Sequence, residues 1–174
     1  MINWGFLGAG WVATRALAPA VHEARNAKLL GVASRDLGRA AALVPEKTFD
    51  RYEDLLADSE IDAVYINLAN HQHCEWTIAA LAAGKHVLCE KPLALNYVQA
   101  QMMAEAAAKY DRILVEAVWN RWHPRLARIV KLVNGGDIGT LNRIESSFCF
   151  PAQFENNYRL EVEMGGGSLL DVGI

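Results

Sequence analysis

Strand-length apolar runs alternate with helix-length stretches from the N-terminus to about residue 117, and that alternation leaves few folds open. Strands are expected over residues 2–7, 28–34, 63–68, 86–89 and 112–117, with helices over 11–24, 37–44, 52–57, 71–83 and 97–110. In "DAVYINLA" and "RILVEAV" the hydrophobicity is continuous rather than alternating, which suits strands covered on both faces, as in a parallel sheet. Parallel neighbours need crossover helices, and right-handed crossovers generate a doubly wound α/β sheet. Gly84, after "TIAALAA", is placed to cap the fourth helix. Pro19 falls inside the first helical stretch and should kink or interrupt it.

The pattern changes near residue 120. "HPRLARIVKLVNGGDIG" reads as a helix closed by glycines, and "TLNRIESSFCF" alternates weakly, so residues 141–150 are expected to form a strand with one wet face. Residues 1–120 are therefore expected to form one domain and 121–174 to begin a second, incomplete one. A formal net charge of −3 gives no electrostatic reason to expect nucleic acid or an anionic membrane as partner. Three cysteines (Cys74, Cys89 and Cys149) form neither an even set nor a C-x-x-C pair, which favours a reducing, cytoplasmic setting. No signal-peptide pattern precedes the first glycines and no run is long enough to span a bilayer, so a soluble protein is expected.

The first strand runs into "GAGWVA", where Gly8, Gly10 and Ala13 make a G-x-G-x-x-A pattern opening a helix. Gly8 permits the tight turn, Gly10 permits close approach of a pyrophosphate, and Ala13 lets helix and strand pack closely. Gly8, Ala9, Gly10, Trp11 and Val12 are thus the candidate pyrophosphate cradle, served by helix N–H groups. The bland alternative is an ordinary glycine-rich turn. The second strand ends in "VASRDLGR" rather than in the carboxylate that usually holds the ribose hydroxyls of NAD. Ser34 can donate to a phosphate, and Arg35 and Arg39 can neutralise one, which favours NADP over NAD. Asp36 lies close enough to blur that choice.

Three other stretches carry chemistry-bearing residues. "NLANHQHCEW" offers His71, His73, Cys74 and Glu75, but histidines at this junction diverge once a helix begins and no second cluster completes a zinc site. Asn70 there reads as a helix N-cap, and no metal is expected. "VEAVWNRWHP" places Glu116, Trp119, Arg121 and Trp122 at a strand end, where they could line a pocket or simply fill a domain junction. "GGGSLLDVG" reads as a loop leading into a helix that carries Asp171.

"VLCEKPLALN" ends a buried strand with Glu90, Lys91 and Pro92. Carboxyl ends of parallel strands are where doubly wound folds bind ligands. A lysine there can donate a proton as hydride arrives at a carbonyl. Pro92 fixes the chain exit and so aims Lys91, and a cis Lys91–Pro92 bond is a plausible device for so sharp a turn.

Together, "GAGWVA", "GKHVLCEKPLA", "VEAVWNRWHP" and "GGGSLLDVG" resemble the Gfo/Idh/MocA oxidoreductases along the whole chain, and most nearly the branch of dimeric dihydrodiol and D-xylose dehydrogenases. The resemblance implies a doubly wound Rossmann domain followed by the start of a truncated α/β C-terminal domain. It implies Lys91 as the catalytic lysine, with Glu90 beside the nicotinamide ribose. Asn70 and His73 match the family's N-x-x-H and are thereby implied as cofactor contacts, and Asp171 matches its substrate-side acid; Trp119 and Arg121 are the other substrate candidates. Leu68-Ala69 stand where Thr-Pro is common, so Leu68 is a cofactor contact of altered chemistry.

The implied activity is NADP-dependent hydride transfer to or from a sugar, diol or carbonyl substrate, in a homo-oligomer when full length. The family's tyrosine or histidine would follow Ile174, so residues 1–174 are expected to bind the cofactor without turning over alone. Residues after about 150 are expected to pack poorly or to pair with another copy. A non-catalytic dinucleotide-binding sensor or partner module is the alternative. A methyltransferase also uses glycine-rich turns, yet it gives Glu90-Lys91-Pro92 no task.

Overall fold

A computed structural model of the chain describes residues 1–151 and 157–173. Six strands, β1 (Ile2–Leu7), β2 (Ala27–Ala33), β3 (Lys47–Phe49), β4 (Ala63–Ile66), β5 (His86–Cys89) and β6 (Leu114–Glu116), form one sheet in the order 3-2-1-4-5-6. Every neighbouring pair is parallel. This is the doubly wound Rossmann order, and its reversal point lies between β1 and β4.

The crossovers are helical: α1 (Ala18–Glu23), α2 (Leu37–Ala41), α3 (Tyr52–Ala57), α4 (His73–Ala82) and α5 (Tyr97–Lys109). They cover both faces. Leu7, Leu30, Ile66, Leu81, Cys89 and Met103 belong to one apolar cluster, and Phe6, Val21, Leu29, Val32 and Tyr65 to the other. All four residues of β4 are buried, as the continuous apolar run required. The strand glycines Gly5 and Gly31 leave room for α3 and for the end of β3: a Cβ at Gly5 would lie 2.7 Å from Leu55, and one at Gly31 2.9 Å from Phe49.

Pro19 acts as expected, and the structure shows how. Lacking an N–H, it cannot close an α-turn at its own position, and the preceding residues Ala13–Leu17 take a π-helical turn before α1 resumes. Two expectations need correction. The short edge strand β3, absent from the expected set, pairs with β2 through three residues. Residues 141–150, expected as a strand, carry no regular secondary structure. A strand needs a neighbour to receive its backbone groups, and the described sheet ends at β6 on that side.

Beyond β6 a short 3-10 turn (Trp119–Trp122) leads into α6 (Pro124–Asn134), on which Ile129 and Val130 are about half exposed. The last helix, α7 (Ser168–Val172), follows the glycines and carries Asp171, as expected. No helix among the described residues is long and apolar enough to cross a membrane.

Candidate active site

The reversal of winding between β1 and β4 opens a cleft of about 790 Å³ at the carboxyl ends of the strands. Its floor is the glycine turn. Gly8 sits at φ +94°, a conformation that costs glycine little, and its N–H donates to the Ala33 carbonyl at 2.9 Å. Gly8, Ala9, Gly10, Trp11 and Val12 all line the cleft, with Trp11 largely exposed at the start of the first helical run. Gly10 has a second reason to be glycine: a Cβ there would lie 2.1 Å from Asn67 Oδ1.

One wall rises from the end of β2. Ser34, Arg35, Asp36 and Arg39 line it together. Asp36 is committed to α2: its Oδ1 accepts from the Arg39 N–H at 3.1 Å as an N-cap, and its own N–H donates to Ser34 Oγ at 3.2 Å. That cap engages one carboxylate oxygen of Asp36, which stays exposed beside Arg35 in the cleft lining. Arg39 Nη2 donates to the Ala9 carbonyl at 2.6 Å, tying the wall to the glycine turn, while Arg35 stays exposed.

The opposite wall comes from the loop after β4, with Asn67, Leu68, Ala69 and Gln72. Asn67 and Leu68 line the cleft, but Asn70 and His73 turn inward. Asn70 Nδ2 donates to the Gly165 carbonyl at 2.8 Å. The ring nitrogens of His73 lie 2.7 Å from the Pro92 carbonyl and 3.1 Å from that of Leu68. Burial pulls the His73 pKa down, although both carbonyls favour the charged ring. These two residues shape the site from behind the wall. Among the described residues, no group of three or more His, Cys, Asp or Glu side chains could hold a metal ion.

The signature "GKHVLCEKP" carries two lysines with different tasks. Lys85 is buried at the opposite end of the sheet, where Nζ donates to the carbonyls of Asp58 (2.6 Å) and Ile61 (2.8 Å). Lys91 follows β5 at the site, and its bond to Pro92 is cis. Lys91 Nζ donates to the Asp171 carbonyl and to Asp171 Oδ1, the latter at 3.1 Å. Arg159 Nε donates to that same Oδ1 at 3.0 Å. The segment 157–173 therefore folds back over the cleft, and Tyr158 and Arg159 join its lining. Neither residue was among the sequence candidates. The clue available was an arginine twelve residues before Asp171, a weak one without knowledge of the loop between them.

Trp119 and Arg121 lie elsewhere. Arg121 lines a separate cleft against β6 with Leu114, Glu116 and Trp122, and Trp119 is largely exposed. The structure does not bring either to Lys91. Asp171 also borders a third cleft, shared with Phe148, Leu160 and Ser168.

Burial works against the Asp171 charge, yet hydrogen bonds from Arg159 and Lys91, with their charges, hold the carboxyl below its usual range. A depressed folded pKa contributes stability above the unfolded value of about 4 and loses it as pH falls through the folded value. Protease sensitivity of 157–173 is thus expected to rise as pH drops below about 4. Asp171→Asn should show that sensitivity already at neutral pH. An Asn variant as resistant as wild type would mean that the ion pairs do not hold this segment.

Residues 2–118 match the Gfo/Idh/MocA oxidoreductases, a family with an NAD-binding Rossmann fold. The chain is 35% identical over 175 residues to a D-xylose 1-dehydrogenase (NADP(+)) of Haloferax volcanii, covering 98% of this chain and 53% of that protein. It is 33% identical over 183 residues to a trans-1,2-dihydrobenzene-1,2-diol dehydrogenase of Danio rerio, covering 99% and 53%. Among solved structures, a 3-ketoreductase of Actinomadura kijaniata in complex with NADP and TDP-benzene superposes with a TM-score of 0.93 at 32% identity, covering 99% of this chain and 54% of that one. The chain thus spans about half the length of these relatives. Strand order, glycine turn and Glu90-Lys91-Pro92 agree with the match, and the chain belongs to the Gfo/Idh/MocA oxidoreductase family.

Proposed function

We propose that this protein binds NADP(H) and transfers hydride between its nicotinamide and a carbonyl or hydroxyl carbon of a sugar or diol, with Lys91 as the acid–base group. The observation that carries the cofactor choice is the wall at the end of β2. Asp36 caps α2 through Oδ1, and Arg35 is exposed at the cleft edge, where a 2′-phosphate would need a cation. The nucleotide fits the cradle present: Gly8–Val12 supply backbone, and Ser34 and Arg35 supply donors. When bound, NADP(H) supplies or accepts the hydride. The relatives' NADP and sugar or diol chemistry supports the same reading.

Lys91 does the work the chain itself can do. Its ammonium, held by Asp171, can give a proton to a carbonyl oxygen during reduction and take it back during oxidation. Residues 121–174 are read as opening a second unit, since α6 leaves an apolar face uncovered and Ile144 and Phe148 are exposed. That unit would supply most contacts to substrate and to further copies of the chain.

Arg35→Ala is expected to weaken NADPH by ~1.5–3 kcal/mol, about 10- to 150-fold, the worth of a charge-assisted contact. NADH binding should stay nearly unchanged. Fluorescence titration with both nucleotides checks this, and equal losses would show that Arg35 does not meet the 2′-phosphate. Protein-dependent NADPH oxidation with a panel of aldoses, diketones and dihydrodiols tests the reaction. Residues 1–174 alone are expected to bind NADPH without oxidising it, so the panel is run on a protein that carries the rest of the second unit, where tight NADPH binding without oxidation would favour a dinucleotide-binding module.

A further inference from the structure

The centre of the sheet holds a polar chain that the mechanism above leaves without a task. Tyr65, in the middle of β4, is fully buried, with its ring held edge-on against Phe6 at 5.0 Å. Its hydroxyl donates to Glu90 Oε1 at 2.7 Å. Asn67 Nδ2 donates to the same hydroxyl at 3.3 Å, and Glu90 Oε2 accepts from the Lys91 N–H at 3.2 Å.

Proton counting fixes the direction of this chain. An ionised carboxylate only accepts, so the single Tyr65 proton goes to Glu90. The Asn67 amide must then donate to Tyr65, which turns Oδ1 the other way, towards Gly10. That atom is buried and has no hydrogen-bond partner among the described residues. Leaving an acceptor so is costly, and buried polar groups are rarely left unmatched. The orientation is kept because the other half of the amide serves Tyr65. Burial, and then the Glu90 charge, push the Tyr65 phenol well above its usual range, so it remains a donor throughout the working pH range.

The placement tells what the chain controls. In a doubly wound sheet the two halves of a dinucleotide lie over the two halves of the sheet. Arg35 and Ser34 stand at the β2 side, so the adenosine half lies there. Tyr65, Asn67 and Glu90 stand at the β4–β5 side, under the nicotinamide half.

We propose that Tyr65 and Asn67 are positioning residues that lock the Glu90 carboxylate under the nicotinamide half of the cofactor and tie its position to the glycine turn through Gly10. This rests on the NADP reading above and adds the device that sets the second half of the site.

The test uses NADPH and 2′,5′-ADP, the latter carrying the adenosine half alone. In titrations of the full chain, Tyr65→Phe should weaken NADPH by about tenfold, the loss expected when a charged acceptor loses its donor. It should leave 2′,5′-ADP unchanged. Glu90→Gln should show the same split, and the double variant should lose little more than either single, because both remove one coupled interaction. Equal weakening of both ligands by Tyr65→Phe would mean a merely structural tyrosine and overturn the proposal. Additive losses, or no loss for NADPH, would overturn it as well. A wild-type chain that binds neither ligand would instead sink the NADP reading, and this inference with it.

Discussion

In an enzyme that carries the rest of the second unit, Lys91→Met is expected to lower hydride-transfer turnover by about 10²–10⁴-fold, the range for losing a positioned general acid. NADPH affinity should change little. Methionine keeps the unbranched stem of lysine and removes only the ammonium. Asp171 is not stranded by the change, because Arg159 still donates to its Oδ1 at 3.0 Å, so the partly buried carboxylate keeps a partner and α7 keeps its anchor. Steady-state kinetics on whichever carbonyl compound supports NADPH oxidation gives the first quantity, and nucleotide titration the second. Turnover within a few-fold of wild type would remove Lys91 as the acid. Matched losses in turnover and NADPH affinity would place it in cofactor binding instead.

The parts of this site legible from sequence are those held by local chain geometry. Gly8 and Gly10 follow a strand and precede a helix, and that context gave the turn its meaning before any coordinates. Lys91 was legible because two charges and a proline closing a buried strand are hard to reconcile with mere structure. Strand β4 was legible because its continuous apolar run required both faces to be covered, whereas the similar run "RILVEAV" formed the edge strand β6, which is only partly buried.

What escaped depends on distance along the chain. Strand β3 is three residues of Lys-Thr-Phe, too short for a period, and exists because β2 offers it an edge. Asn70 and His73 came from the resemblance to the family's N-x-x-H, and the partners they hold, Gly165, Pro92 and Leu68, are set by tertiary folding that no local pattern reveals. Arg121 and Trp119 follow a strand end as Lys91 does, but they follow β6, at the far edge of the sheet from the reversal point. Position along the sheet, not the type of residue, decided which of these reached Asp171 and its cleft-lining partner Arg159. Tyr65 left a readable sign: a hydroxyl within a fully buried strand requires a partner. The sequence could not name Glu90 as that partner, because the pairing of β4 with β5 sets it.

The two glycines of the turn are expected to fail in different ways when a methyl group is added. At Gly8 a Cβ would lie 2.3 Å from the Asn67 carbonyl oxygen, a backbone atom fixed by the Asn67 N–H donating to Leu7 at 2.9 Å. The backbone there also sits at φ +94°, which costs a residue with a Cβ roughly 1–3 kcal/mol before any clash. Gly8→Ala should therefore lower Tm by about 5–10 °C or more. At Gly10 the obstacle is the tip of the Asn67 side chain, which can rotate away. Gly10→Ala should cost little stability but should drive Asn67 off Tyr65 and weaken NADPH. Adding Asn67→Ala to Gly8→Ala would not restore Tm, because the blocking oxygen is main chain. Adding it to Gly10→Ala removes the collision but leaves Tyr65 without its donor, so NADPH affinity should recover only in part. Thermal melts and NADPH titrations of the four variants read these outcomes directly. Full recovery of NADPH affinity in the Gly10→Ala/Asn67→Ala protein would show that Gly10 is glycine only to make room for Asn67. A Gly8→Ala protein as stable as wild type would show that the turn can be rebuilt without the left-handed residue on which the cradle depends.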